Sequence, residues 1–476
     1  MNDHYGNTFL KRMEIFFQDL YWQPLRLKPL FIFYLIASIF LIRNTEKYAG
    51  WTASTPFSSD IDQYYSYLPQ IIIHKDASFK TATRYWAVPQ PNGNKIQRFT
   101  IGIALMELPF FAVAHWVAPY YGYAADGYSP PYVWVLFWGM VFYVFLGLYY
   151  VYRSLRLYYG EWFSVLMIAI LFFATNLFYY TVSEGLMSHS FLFFLHASFI
   201  YYALAWYKKG KLKQLICFCF FGGLAVLSRP TEVLIFILPL LLGVSNSSGF
   251  VERLKFWKAR KIQLLMGCLL MLLIFLPQLI YWKTYSGHWL FYSYGKEGFF
   301  FSDPKIWNFW FGYRKGLIPY TPIMIFSVIG FIFLWKNNRE IFLGVLIFTL
   351  LNSYVLSSWW DYGYGGSFGN RALVQSYASL IFPIAAFFHW LINFPKSLRV
   401  KFITLVSALL IIAFCVRLNL IMSLQYRQTI IHWNGMNKQT YWFVFMKEEF
   451  TQDDFKKREQ LISIPNYDDM IKGERD

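Results

Sequence analysis

Charge is scarce in this chain. Only 14% of its 476 residues are Asp, Glu, Lys or Arg, while 57% are hydrophobic and 22% aromatic. That balance excludes a disordered chain and an ordinary soluble domain. Cysteine is sparse too. Cys217, Cys219, Cys268 and Cys415 all fall inside apolar runs, which excludes a disulfide framework and zinc spacing; they read as small core hydrophobes. Acids are outnumbered, 26 against 43 Lys and Arg, for a net charge of +17. The surplus does not mark a nucleic-acid binder, because the basic residues sit in short loops between apolar runs, where they orient a membrane protein. Walker A, Gly-x-Gly-x-x-Gly after a strand, His-Glu-x-x-His and nucleophile-elbow patterns are all missing. A soluble nucleotide-sugar domain is therefore not expected. No internal repeat or low-complexity tract is visible. A cleavable signal peptide is not expected either, since the first apolar run lacks a small-residue cleavage site.

What the chain has in abundance is apolar runs of span length. They fall near 27–42, 132–152, 162–180, 190–206, 214–228, 231–246, 262–281, 319–335, 340–358, 372–391 and 402–419. Ser228-Arg229-Pro230 divides the 214–246 stretch, because Pro disfavours the helical conformation of the residue before it. The expectation is an all-α polytopic membrane protein with about eleven transmembrane helices. Alternating these spans puts Arg153 with Arg156, Lys208–Lys213, Arg253–Lys261, Lys336 with Arg339, and Lys396–Lys401 on one face, the cytoplasmic one. An amphipathic N-terminus (1–26) joins them. The transmembrane domain covers 27–419, with a long first outer loop at 43–131, and a short polar tail (420–476) lies outside. Residues 101–117 carry Glu107 and Pro109 at their centre and read as a helix on or dipping into the outer interface. A loop of about 90 residues exceeds ordinary connection lengths, and such loops are usually functional.

The outer face concentrates the residues able to do chemistry. Asp60 and Asp62 open a short helix in the first loop. They read as caps of that helix, as a general base that takes the proton of an acceptor hydroxyl, or as ligands of a divalent cation. Glu184 and His189 lie in the turn after the third span, unusual company at a membrane boundary. With Tyr64 and Tyr362 they are candidates for binding acceptor or sugar; the alternative for the pair is an interfacial His and a capping Glu. Arg229, Arg314 and Arg371 sit at outer span ends. Guanidinium forks match phosphate oxygens, and the Gly-rich run Gly363–Gly369 lets the backbone before Arg371 close around a ligand. The alternative is lipid-headgroup snorkelling. Lys296 and Glu297 read as a solvated pair.

Several short segments carry a family resemblance: Ser59-Asp60, Tyr64-Tyr65-Ser66-Tyr67-Leu68-Pro69, Leu108-Pro109-Phe110-Phe111, Asp126-Gly127-Tyr128-Ser129-Pro130-Pro131, Thr175–Tyr180 with Ser188-His189, Ser228-Arg229-Pro230-Thr231 and Phe368-Gly369-Asn370-Arg371. In this order the chain resembles the polytopic GT-C glycosyltransferases, the class of the protein O-mannosyltransferases and the lipid A aminoarabinose transferase, and most of all its RgtA/B/C/D-like members. The resemblance implies a sugar donor linked to a polyprenyl phosphate and a glycan, lipid or protein acceptor. It also implies a periplasmic active site in a bacterial inner membrane, inversion at the anomeric carbon, and Asp60 as the loop acid. The chain has Asp60-Ile61-Asp62 where the class commonly has Asp-Glu, which leaves the division of labour between the two acids open. The tail is too short to be the large soluble domain of some members, so acceptor recognition by the tail is not expected. The rivals are a flippase or transporter of lipid-linked glycans, which needs ionisable groups near mid-span, and a non-catalytic envelope scaffold.

Overall fold

The computed structural model describes residues 28–48, 57, 59–82, 87–394 and 397–475. The N-terminus expected at 1–26 lies outside them. The first outer loop follows α1 (Pro29–Tyr48) and holds α2 (Ser59–Tyr65), the hairpin β1 (Val88–Pro89) and β2 (Lys95–Ile96), and α3 (Gly102–Tyr120). Then come α4 (Pro130–Leu155), α5 (Glu161–Phe173), α6 (Leu177–Val182), α7 (Ser188–Lys209), α8 (Leu212–Ser228), α9 (Ile237–Leu241), α10 (Ser247–Ala259) and α11 (Lys261–Ser286). The second half holds α12 (Ile306–Phe311), α13 (Leu317–Tyr320), α14 (Ile325–Asn337), α15 (Arg339–Ser357), α16 (Tyr377–Asn393) and α17 (Leu398–Arg427). The tail folds into α18 (Lys438–Val444), α19 (Gln452–Leu461) and α20 (Tyr467–Ile471).

Seven helices are long and apolar enough to cross a membrane, and five shorter apolar segments accompany them. Each of the eleven expected spans has one of these as its counterpart; the twelfth is α3. The shortest, such as Glu161–Phe173, explain why hydropathy alone blurs the count. The break after Ser228 is real: Arg229 is extended, with φ −149°. At the hub stands α7, with 78% of its most apolar window buried, whereas α11 has 11% of its window buried and turns its leucines outward. Glycine sets one close approach. The Gly330 backbone lies so near Pro383 of α16 that a Cβ there would stand 2.0 Å from the Pro383 carbonyl oxygen.

The basic loops meet at one end of the bundle. Lys208 pairs with Glu340 at 3.7 Å, Gln263 donates to the Gly210 carbonyl at 3.4 Å, and Tyr159 donates to Asn338 at 3.1 Å. Helix α3 stands at the other end. Gly102 abuts Ser228, Tyr143 donates to the Met106 carbonyl at 3.0 Å, and His115 meets the Tyr132 hydroxyl near the start of α4. It runs antiparallel along the first half of α4, steep rather than flat. Of the two expected placements, on the interface or dipping into it, this packing along α4 suits the dipping one. Glu107 was the obstacle to placing this helix upright, because a charge facing lipid is costly. The structure turns its side chain inward: Glu107 is 1% exposed.

The tail belongs to the end opposite the basic loops. Arg475 donates to the Trp359 carbonyl at 2.9 Å, and Tyr441 donates to the Pro319 carbonyl at 2.6 Å. Cysteines introduced at Lys209 and Asp469 are therefore expected to react with a membrane-impermeant maleimide from opposite sides of a sealed vesicle. Labelling of both from one side would contradict the arrangement.

Candidate active site

Seven residues suffice for α2 because aromatic side chains wedge it into the bundle. Tyr65 stacks on Phe57 at 4.3 Å, meets Phe111 of α3 and donates to the Gly127 carbonyl. Successive helical residues turn by about 100°, so Asp60 and Asp62 leave the helix on opposite sides. Asp60 faces a cavity of about 610 Å³. Asp62, 1% exposed, lines a second cavity of about 360 Å³ with Ser66, Gln70, His74 and Gln97. One cation between the two carboxylates does not fit this geometry. Among the described residues no group of three or more His, Cys, Asp or Glu is placed to hold a metal.

Beside Asp60, on the wall of the larger cavity, stands Arg371. Its Nη2 lies 2.9 Å from Asp60 Oδ2. The Gly-rich loop before it is ordered by Asp361, which accepts from the Gly363 amide at 3.0 Å, the Gly365 amide at 2.6 Å and Arg314 Nη2 at 3.0 Å. Gly369 takes φ +60°, with Tyr320 packed where a Cβ would go. Next to it, the Phe368 carbonyl accepts from Asn176 at 3.0 Å, and the Phe368 amide donates to the Tyr180 hydroxyl at 2.9 Å. The Thr175–Tyr180 segment thus locks the loop that presents Arg371. Arg371 Nε is buried and has no partner among the described residues, which leaves the fork a spare donor.

Glu184 completes the arrangement on the same cavity. It accepts from the Tyr179 hydroxyl at 3.0 Å. Burial pushes its carboxyl above the usual carboxylate range, against the pull of Arg371 and Tyr179. Asp60, Glu184 and Arg371 come from three distant segments, and all face one space.

The other candidates do not line it. Arg314 is spent as a clamp: besides Asp361 it donates through Nε to Asn434 of the tail at 3.1 Å and lies over the Tyr362 ring at 5.3 Å. Arg229 sits over the Tyr364 ring at 5.9 Å. Tyr64 stacks on Phe99 at 4.4 Å, and burial raises its phenol. Tyr362 is buried, within 3.5 Å of Asn308 Nδ2. His189 is buried at the start of α7, where Nδ1 meets Gln375 Oε1 at 3.2 Å. Gln375 donates to Glu232 at 2.9 Å, and Glu232 pairs with His196 at 2.8 Å. Glu297 is no solvated pair with Lys296; it holds Arg98 and accepts from Trp360 Nε1 at 3.1 Å.

Sequence reasoning missed one wall altogether. His432, Trp433, Arg458 and Glu459, all from the tail, line the cavity that Asp60 faces. No motif marks them. The one available signal was the His432-Trp433 neighbour pair, an imidazole and an indole side by side.

Burial holds the proton on Glu184 more tightly in the folded protein than in the unfolded chain. Its contribution is thus favourable below the ordinary pKa of 4.5 and is lost as pH rises through the raised folded value. Glu184→Gln removes that loss. The melting-temperature difference, Gln variant minus wild type, is expected to grow from pH 5 to pH 7.5 in detergent; a difference independent of pH would contradict the burial argument.

No protein-family model and no curated protein sequence matches the chain. Solved structures do. ArnT from Cupriavidus metallidurans in the apo state superposes with a TM-score of 0.50 at 12% identity, over 80% of this chain and 63% of ArnT. The archaeal oligosaccharyltransferase AglB from Archaeoglobus fulgidus, in complex with an inhibitory peptide and a dolichol-phosphate, aligns at 14% identity and a TM-score of 0.48, over 92% of this chain and 59% of AglB. The chain spans less than two thirds of the length of either protein. Its fold is similar to that of ArnT, a bundle of helices of which seven are long and apolar enough to cross a membrane.

Proposed function

We propose that this protein is an integral membrane glycosyltransferase that moves a sugar from a polyprenyl-phosphate donor to an acceptor hydroxyl at the outer, periplasmic face of a bacterial inner membrane. The observation that carries the reading is the Asp60–Arg371 pair, 2.9 Å apart on the wall of a 610 Å³ cavity, a volume ordinary for a small-molecule site. An acid and a guanidinium that hold each other in the free protein have separate uses when the donor enters. The phosphate takes the Arg371 fork, including its spare Nε, and Asp60 is freed for the acceptor.

The step then balances. The acceptor oxygen attacks the anomeric carbon from the face opposite the phosphate, and its proton passes to Asp60. The carbon–oxygen bond to phosphate breaks with its electron pair staying on the phosphate, and the configuration inverts. Arg371 neutralises charge where it develops, usually a large catalytic term. A groove of about 590 Å³ supports the lipid character of the donor: it runs beside α17 from Ala413 to Gln428 with Val416, Leu420 and Leu424 on its floor and Lys47, Arg417 and Lys447 along it. Gln425 and Gln428 of this groove are chain neighbours of Tyr426 and Arg427, which line the catalytic cavity. The acceptor is a glycan, lipid or protein.

One observation favours the flippase alternative, the Glu232–His196 pair buried among the spans. It is closed off by Gln375 and lines neither of the two cavities built around α2.

Asp60→Asn is expected to lower turnover by about 10²–10⁴ while donor binding persists. Arg371→Lys keeps the charge and loses the fork, so donor KM rises and most turnover disappears. Arg314→Lys loosens the tail and lowers thermal stability, with donor affinity unchanged. The readout is transfer of radiolabelled sugar from polyprenyl-phosphate hexose and pentose donors in nanodiscs. Wild-type kinetics in both Asp60→Asn and Arg371→Lys would overturn the reading.

A further inference from the structure

The tail is not an appendage. Lys315 ties it to the Arg371 loop, donating to the carbonyl of Ser367 and, at 2.5 Å, to the carbonyl of Trp433. Burial, with the Arg314 and Arg371 guanidinium groups nearby, holds the Lys315 amine well below the usual lysine range. The Arg314–Asn434 bond secures the next residue, and Tyr467 of α20 bonds the same Asn434. Farther along, Arg458 donates to the carbonyls of Thr429 and Ile430. These ties fix the 429–435 turn against the cavity mouth.

What the turn presents has a definite chemistry. Trp433 leaves 47% of its surface exposed at the mouth, opposite Gly366. His432 accepts through Nδ1 from the amides of Asn434 at 3.2 Å and Gly435 at 2.7 Å. Two donors on Nδ1 fix the tautomer and leave Nε2–H as the ring's remaining polar group. Burial and the nearby Arg458 lower the imidazole's pKa, so it is neutral. Glu459, beside it on the same wall, is half-exposed and offers a carboxylate, with Arg458 at its other side. A flat aromatic face is thus flanked by one neutral N–H donor and one acceptor. A pyranose ring has the complementary surface, a face of C–H bonds with a rim of hydroxyls. A phosphate fits it less well, because Arg458, the guanidinium beside His432 and Glu459, is already engaged by backbone carbonyls and Glu459.

We propose that the 429–435 turn of the tail is a carbohydrate subsite, in which the Trp433 indole stacks on a pyranose of the acceptor while His432 and Glu459 bind its hydroxyls. This rests on the glycosyltransferase reading for its place in the reaction: it puts a sugar-bearing acceptor opposite the phosphate-binding Arg371. The tail, rather than the span helices, then sets acceptor choice. Lys315 acts as a positioning residue by holding Trp433 against the Gly-rich loop.

Binding is measured without any donor, by saturation-transfer difference NMR and titration of methyl and p-nitrophenyl hexopyranosides and pentopyranosides on the full chain in nanodiscs. At least one glycoside is expected to bind. Trp433→Ala weakens it about tenfold, on the scale of one lost aromatic contact, and Trp433→Phe restores most of the affinity. Trp442→Ala, on an exposed tail residue outside the cavity, changes nothing and reports that the tail stays folded. Binding that ignores Trp433→Ala, or no binding of any glycoside, overturns the subsite. If no donor supports transfer while glycoside binding still depends on Trp433, the transferase reading falls and the carbohydrate subsite stands. If transfer proceeds and Trp433→Ala leaves acceptor KM unchanged, the subsite falls and the transferase reading stands.

Discussion

A guanidinium at the membrane end of a helix bundle cannot be left uncompensated, and the organisation of the bundle end opposite the basic loops follows from that constraint. Arg371 and Arg314 are both drawn in from solvent, and each needs a carboxylate. Arg314 finds Asp361 at 3.0 Å within the same run of outer loops, and Arg371 finds Asp60 at 2.9 Å on a helix from the far end of the sequence. Stripping one partner from such a pair leaves a buried charge, far costlier than the pair is stabilising. The two pairs differ in what surrounds them. Asp361 accepts from two backbone amides and Arg314 also bonds Asn434 of the tail, which makes that pair a structural clamp. Asp60 and Arg371 instead line the open cavity, where an anionic ligand can separate them.

Most of the architecture is legible in the sequence. Hydropathy places all eleven expected spans on apolar helical segments, and the Ser228-Arg229-Pro230 break falls where proline requires it. The direction in which α3 turns Glu107 was not legible. The cost of a charge facing lipid argues against an upright helix carrying Glu107, but sequence cannot tell a lipid-facing glutamate from one turned inward beneath Tyr65 and Tyr143. The same blindness covers Glu232 and His196, which satisfy each other inside the bundle although they lie on different helices.

The site was half legible. Asp60, Glu184 and Arg371 stand out because acids and arginines at the outer face are few. Arg314 stood out for the same reason and proved to be a clamp, since a guanidinium near a glycine has one sequence signature whether its partner is a phosphate or an aspartate. Asp62 was paired with Asp60 by adjacency, but helical geometry sends the two carboxylates to separate cavities. The tail is too short to be a large soluble domain, so acceptor recognition by it was not expected. Its contribution depends on the anchors Lys315, Arg314 and Tyr467, which lie far from His432 and Trp433 in sequence and leave no local pattern.

Two walls of different character then share one cavity: a charged wall of Asp60 and Arg371 suited to a lipid phosphate, and a neutral aromatic wall from the tail. The most direct test of this account is a cryo-electron microscopy structure of the protein in nanodiscs with a polyprenyl phosphate added. The account predicts phosphate density within hydrogen-bonding distance of the Arg371 guanidinium, Asp60 released from it, and the isoprenoid chain leaving beside α17. Phosphate density at another site, with the Asp60–Arg371 pair intact, would contradict it.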